Sequence, residues 1–351
     1  MRLEQLTFTR FLAAISIVIF HYGGKSFIFN NPNVDFIFRN ANICVSYFFI
    51  LSGFVMMLAY GAKSHISPLV YFKNRFARIY PVYFLAILLT LFIQVKTKTI
   101  DLPGLFLNVF MIQSWLPGEF LSFNPPGWSL SVELVFYAVF PFVFNKVLQK
   151  SPIKKSVLFI VLFWIFSQLF IQTLFLFYPG STLTRMDGNP LMHLNEFLIG
   201  NLVAFLFMKK SQKEEGNYDF QILILFGMIL LALKFPFGLH YNNGLMAILF
   251  VPLIVLISLN NGIITKIFRK KAFVFLGEIS YGIYILQCPI YSLFSAYSVN
   301  KYLHITDPTI VFLLRFIILI IVSGLSYIYI EKPIKNIIRL KRVKPLVVNS
   351  L

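Results

Sequence analysis

VLFIVLFWIFSQLFIQTLFLF, residues 157–177, runs twenty-one residues without a charge. As an α-helix rising about 1.5 Å per residue, it reaches about 30 Å, the thickness of a bilayer's hydrocarbon core. Apolar and polar residues do not alternate along it, so it does not match a barrel strand. Residues 308–330 repeat the pattern, with Arg315 as the one interruption. The rest of the chain is built alike. Its 351 residues are 58% hydrophobic, 18% aromatic and 13% charged, with a mean hydropathy of +0.79. A soluble domain of this length could not bury so much apolar side chain. The class is an all-α polytopic membrane protein, with about ten transmembrane helices near 7–23, 43–61, 79–95, 128–145, 156–178, 191–208, 219–236, 244–259, 274–296 and 309–330.

Charge sets the topology. The apolar piece 102–115 opens with Pro103 and Gly104 and reads as a short re-entrant or interfacial segment. With that piece non-spanning and the N-terminus cytoplasmic, 23 basic residues fall on the cytoplasmic side and 7 on the other, as the positive-inside rule asks. A span at 102–115 would invert every later loop. Both termini are therefore expected in the cytoplasm, in the inner (cytoplasmic) membrane of the cell. Residues 1–335 are expected to form a single transmembrane domain, followed by a basic cytoplasmic tail at 336–351. The net charge of +18 is read as loop residues on anionic membrane lipids, not as a nucleic-acid surface. Cys44 and Cys288 lie in apolar surroundings and offer neither a disulfide framework nor metal spacing, so no metal is expected. Arg10 interrupts the first apolar stretch and no small-x-small site follows, so this stretch reads as a permanent span.

Arg10 and His21 stand eleven residues apart within that span, on one helix face and about 16 Å apart. Intramembrane ionisable groups usually face a cavity and carry function. Arg10 falls near the cytoplasmic mouth and His21 near the extracytoplasmic end. Arg75 and Arg78 enter the third predicted helix from the cytoplasmic side, and their i, i+3 spacing puts both guanidiniums on one face. Guanidinium forks match phosphate oxygens, so Arg10, Arg75 and Arg78 suit a phosphorylated cytosolic ligand. Lys73 reads as an ordinary positive-inside anchor.

On the outward side, Asn124, Trp128, Ser129 and Glu133 lead into the fourth helix. Ser129 and Glu133 share a face at about the depth of His21, so Glu133 is expected to accept from the imidazole and make it a better base. Trp128 is equally an interfacial belt residue. Glu196 and Arg315 are expected to pair across helices, Gln287 to bond between helices, and His65, His193, His240 and His304 to be interfacial. A phosphate grip inside and an imidazole–carboxylate pair outside fit an acyl-CoA donor reaching across to an extracytoplasmic hydroxyl. His21 would then be the general base and Glu133 its catalytic partner, with Asn124, Trp128, Ser129 and Glu196 orienting the acceptor. Direct attack is preferred over an acyl-histidine, though the sequence leaves both open. A lipid-linked sugar flippase or transporter is the rival reading, but no internal repeat marks one.

These residues resemble the acyltransferase-3 family of integral-membrane acyltransferases over about Leu6 to Pro333. The family's Arg-x10-His is met by Arg10 and His21, and its Arg-x-x-Arg by Arg75 and Arg78. Matching stretches also lie at 45–54, 128–133, 196–200, 277–284 and 331–333. The resemblance implies a ten-helix fold and transfer of an acyl group, usually acetyl from acetyl-CoA, to a cell-envelope carbohydrate or lipid-linked glycan. It also implies that His21 is catalytic and that Arg10, Arg75 and Arg78 bind the donor. Gln287 departs from the histidine that many relatives carry there.

Overall fold

The computed structural model describes residues 3–178, 186–209 and 215–340, the last three as backbone. Arg2, Arg185, Lys210, Lys213 and the tail from 341 onward, all used in the charge count, lie outside the described residues. In chain order the α-helices are α1 (Gln5–Tyr22), α2 (Asp35–Arg39), α3 (Ile43–Tyr60), α4 (Pro68–Thr97), α5 (Leu102–Val109), α6 (Trp128–Phe142), α7 (Ile153–Phe177), α8 (Pro190–Lys209), α9 (Asp219–Lys234), α10 (Ala247–Leu259), α11 (Ile263–Phe268), α12 (Lys271–Leu293), α13 (Ala296–Leu303), α14 (Pro308–Ser326) and α15 (Lys332–Leu340). A π-turn at Val143–Leu148 prolongs α6, and another at Tyr327–Glu331 joins α14 to α15. There is no strand among the described residues.

Eight of these helices, α6 and α14 counted with their prolongations, are long and apolar enough to cross a membrane. Helices α9 and α10, of 16 and 13 residues, lie where the two remaining spans are expected. The chain is a multi-pass membrane protein. The 102–115 segment is the eight-residue α5 followed by a 3₁₀ turn at Gln113–Trp115. Eight residues rise about 12 Å, too little to cross. Asp101 caps α5 by accepting from the Gly104 amide at 2.9 Å. The buried Asn108 ties the segment down: its amide donates to the Gly104 and Ser122 carbonyls, and its carbonyl accepts from the Tyr83 hydroxyl. Non-helical backbone at membrane depth survives only when enclosed in protein in this way.

One boundary moves. Helix α4 begins at Pro68, well before the expected 79, so Arg75 and Arg78 stand within it and Pro81 is interior. Apolar periodicity starts only at Ile79. The basic turns before it stay helical because Tyr71, 2% exposed, is anchored in the core.

Helix α3 packs most extensively on α8, and α1 on α12. Small residues permit both contacts. A Cβ at Gly53 would strike the Phe197 carbonyl oxygen, one at Gly200 the Ile50 carbonyl oxygen, and one at Gly277 the Thr7 carbonyl oxygen. Phe136 of α6 stacks on Phe197 of α8 at 4.7 Å between ring centroids. By contrast α7 leaves an apolar face uncovered, with Phe166 69% and Leu158 59% exposed. Such a face is what lipid contacts. Helices α1, α3, α8 and α12 form the interior, and the site lies where α1, α3 and α12 meet α4 and α6.

Candidate functional site

Helices α1, α3, α4, α6 and α12, with the π-turn at Tyr327–Glu331, enclose a cavity of about 160 Å³. Arg10, Arg75 and Arg78 all line it, as their spacing predicts. The cavity runs along the bundle, because Val45 and Met56 of α3 both border it. Those residues are eleven apart, about 16 Å of helix, which matches the Arg10–His21 separation on α1. Ser129 and Tyr284 border the cavity too.

Each arginine has a defined setting. The Arg75 guanidinium lies over the Tyr60 and Tyr71 rings at 5.1 and 5.7 Å, a cation–π grip that fixes it without consuming all its donors. Its Nε is buried with no hydrogen-bond partner. Just past Arg78, the Tyr281 hydroxyl donates to the Ile79 carbonyl at 2.6 Å and ties α12 to α4. Three carboxylates, Glu133, Glu278 and Glu331, border the same cavity. Three guanidiniums converging on one space, with a buried donor unspent, suit phosphate oxygens.

Glu133 differs from expectation. It accepts from the Ser52 hydroxyl at 3.0 Å and the Tyr137 hydroxyl at 2.7 Å, so its hydrogen bonds serve the arginine cavity and not His21. It stands among the arginines and not, as its depth predicts, at the outward end of α1 with His21, and its side chain turns toward α3. His21 is exposed at the end of α1 and does not border the cavity, while Ala14 and Ile17, on the face between it and Arg10, are buried in the core. Its neighbour Tyr22 turns inward, donating to Cys288 Sγ at 3.1 Å and stacking on Tyr291 at 3.9 Å.

The expected Glu196–Arg315 pair does not form. Glu196 accepts from His193 Nδ1 at 2.8 Å on its own helix. His193 is 3% exposed and not interfacial. Its Nε2 meets the Asp187 carbonyl at 2.6 Å, and its ring lies 5.2 Å from that of Trp128. Trp128 also packs on Phe49 and Phe120, so it is an internal wall between α3, α6 and α8. Arg315 donates instead to the Tyr291 carbonyl at 2.5 Å, with its guanidinium 4.2 Å from that ring. Gln287 donates within its own helix to Tyr284, not between helices, at 2.7 Å. Asn124 is buried and donates to the Ile285 carbonyl at 3.4 Å. The Asn124 and Gln287 side-chain carbonyl oxygens are both buried without a partner.

Outside the spans, burial pulls the His240 imidazole down, but Asp187 at 3.6 Å and a bond to Asn243 outweigh it, and the net shift is upward.

Sequence reasoning missed Ser52, Tyr60, Tyr71, Tyr137 and Glu278. Tyr137 had a signal, since it stands four residues after Glu133. Tyr60 and Tyr71 had none, because their contact with Arg75 is made between helices. Among the described residues no group of three or more His, Cys, Asp or Glu side chains is placed to hold a metal.

A family model described as acyltransferase domain matches residues 3–328. Acyltransferase MdmB of Streptomyces mycarofaciens is 34% identical over 166 residues, which are 44% of this chain and 42% of that protein. O-acetyltransferase OatA of Staphylococcus aureus is 23% identical over 95% of this chain and 59% of its own length. Peptidoglycan O-acetyltransferase OatA of Listeria monocytogenes is 26% identical over 84% of this chain and 51% of its own length. The chain thus spans about half the length of the curated relatives it matches. No solved structure matches it.

Proposed function

The chain belongs to the acyltransferase-3 family, and from that membership we propose that it moves an acyl group, most simply acetyl, from cytosolic acyl-CoA to a hydroxyl of an extracytoplasmic or lipid-linked carbohydrate. The observation that carries this reading is the meeting of Arg10, Arg75 and Arg78 in one elongated cavity. Guanidiniums arranged in this way grip phosphates, and a cavity about 16 Å long leaves room for an extended arm beyond them. The printed names of the two O-acetyltransferase relatives support an O-acetyl product, and the peptidoglycan enzyme supports a cell-envelope glycan as acceptor.

In this reading, both chain ends face the cytoplasm and the protein resides in the inner membrane. Arg10, Arg75 and Arg78 hold the donor's phosphates. His21, at the outward end of α1, takes the proton from the acceptor hydroxyl as its oxygen attacks the thioester carbon, and the thiolate leaves with the coenzyme. General-base assistance of this kind contributes about 10²–10⁴-fold. Glu133 is a positioning residue for the cationic wall, Ser129 borders the donor cavity, and Asn124, Trp128 and Glu196 shape the outward protein.

Purified protein in lipid nanodiscs tests the reading, with acetyl-CoA and a soluble glycan acceptor. Transfer is expected to be lost in His21→Ala with the fold intact, and donor affinity to fall in the Arg75→Gln, Arg78→Gln double variant. Full transfer by the His21 variant would remove that residue from the mechanism. Unchanged coenzyme affinity in the double variant would remove the donor site.

A further inference from the structure

A second cavity, of about 270 Å³, adjoins the first, and Arg10, Arg78, Glu278 and Glu331 border both. Its outer wall includes Leu3 and Lys335, so it lies toward the end of the bundle that holds the start of α1 and the start of α15. These four side chains, with Val55, form a neck between an inner chamber, with Arg75, Ser129 and Glu133, and this vestibule. The neck holds two guanidiniums and two carboxylates.

The inner chamber as a whole is balanced: Arg10, Arg75 and Arg78 face Glu133, Glu278 and Glu331. An incoming phosphate upsets this balance. It meets carboxylates in a space shielded from water, where like charges repel far more strongly than in solution. Protonating one carboxylate relieves that repulsion.

The hydrogen bonds show which carboxylate yields. Glu133 holds two hydroxyl donors, Ser52 and Tyr137. Glu278 accepts from the Tyr327 hydroxyl at 2.7 Å. Glu331, by contrast, has a buried Oε1 with no hydrogen-bond partner, so its charged form is the least supported of the three. The charges acting on it come from four elements around the neck, Arg78 on α4, Arg10 on α1, Lys335 on α15 and Glu278 on α12, while α3 offers only the apolar Val55. Its place on the π-turn is also suggestive, because such turns are frequent at functional sites.

We infer that Glu331 is a carboxylate latch at the neck, facing Arg10 and Arg78 across it while the site is empty and taking up a proton when the phosphorylated donor claims those guanidiniums. Donor binding is thereby coupled to uptake of a cytosolic proton. This inference rests on the acyl-CoA reading above.

Calorimetric titration of coenzyme A into the nanodisc-embedded protein tests it, repeated in buffers of different ionisation enthalpy. Near neutral pH the wild type is expected to take up a substantial fraction of a proton, at most about one, per coenzyme bound. Between pH 7 and 9, above the coenzyme phosphate's own second ionisation near pH 6, affinity is expected to fall by up to about tenfold per pH unit. Glu331→Gln is expected to bind at least as tightly, without the proton uptake and with a flat pH profile. Coenzyme binding with no proton uptake, or uptake that persists in Glu331→Gln, overturns the latch and leaves the donor reading standing. No coenzyme binding at all overturns both. Should Glu331→Gln fail to fold, the wild-type uptake and pH profile decide alone.

Discussion

Arg75 is held by shape as much as by charge. Its guanidinium lies over the Tyr60 and Tyr71 rings, and a lysine ammonium cannot stack or fork in the same way. Arg75→Lys keeps the charge, yet is expected to raise the apparent KM for acyl-CoA by about tenfold or more, the scale of one lost charge-assisted bond; steady-state kinetics at varied donor concentration checks it. His240 gives a prediction in pH. Its shift is upward, so pairing with Asp187 stabilises the fold fully below the unfolded value near 6.5 and is lost as pH rises through the folded value. The melting-temperature gap between wild type and Asp187→Asn is therefore expected to be largest on the acid side and to close on the alkaline side. Thermal unfolding at a series of pH values measures it. The meeting of Arg10, Arg75 and Arg78 was legible because periodicity fixes both depth and helix face. The partner of Glu133 was not. How far α6 slides against its neighbours, and which of them that face meets, depends on packing, and packing set it among the arginines with Ser52 and Tyr137.

Among elements, the α3–α8 contact is the most extensive joint in the bundle, and two glycines make it possible. The carbonyls of Phe197 and Ile50 occupy the space where side chains at Gly53 and Gly200 would begin. Backbone cannot swing aside as a side-chain tip can, so Gly200→Leu must push the helices apart. Overpacking costs about 1–3 kcal/mol in ordinary cores, and a lower melting temperature in detergent is expected here. Gly227→Leu on α9 is the control, since nothing lies within 4 Å of its added Cβ, and a change within about 0.5 kcal/mol is expected. Equal melting temperatures for the two variants would show that the joint is not close-packed. The long helices were legible from apolar runs alone. The start of α4 was not, because aromatic anchoring at Tyr71 overrides a basic, weakly periodic stretch. Nor was the π-turn that presents Glu331, since a shift from α to π hydrogen bonding has no compositional mark.

For the whole molecule, the decisive segment is the short one. Helix α5 and the turn after it rest on buried Asn108, Gln113 and Ser114, and if they do not cross, every later loop keeps the side that its basic residues require. The charge distribution makes the same demand independently of the fold, with 23 basic residues on one side and 7 on the other, so a single experiment addresses both. A phosphatase reporter that is active only outside the cytoplasm, fused after Lys98 or after Lys301, is expected to be active; fused after Lys150 or after Lys270, it is expected to be silent. A crossing at 102–115 would reverse the last three and leave only the first unchanged. The consequence reaches the chemistry. The start of α1 and the neck at Glu331 share one end of the bundle, and His21 and the start of α6 share the other. An active reporter after Lys150 would place the entrance to α7 outside and carry Glu278 and Glu331 to the side opposite Arg10, Arg75 and Arg78, which precede the segment and keep theirs, so the neck that these side chains share could not form.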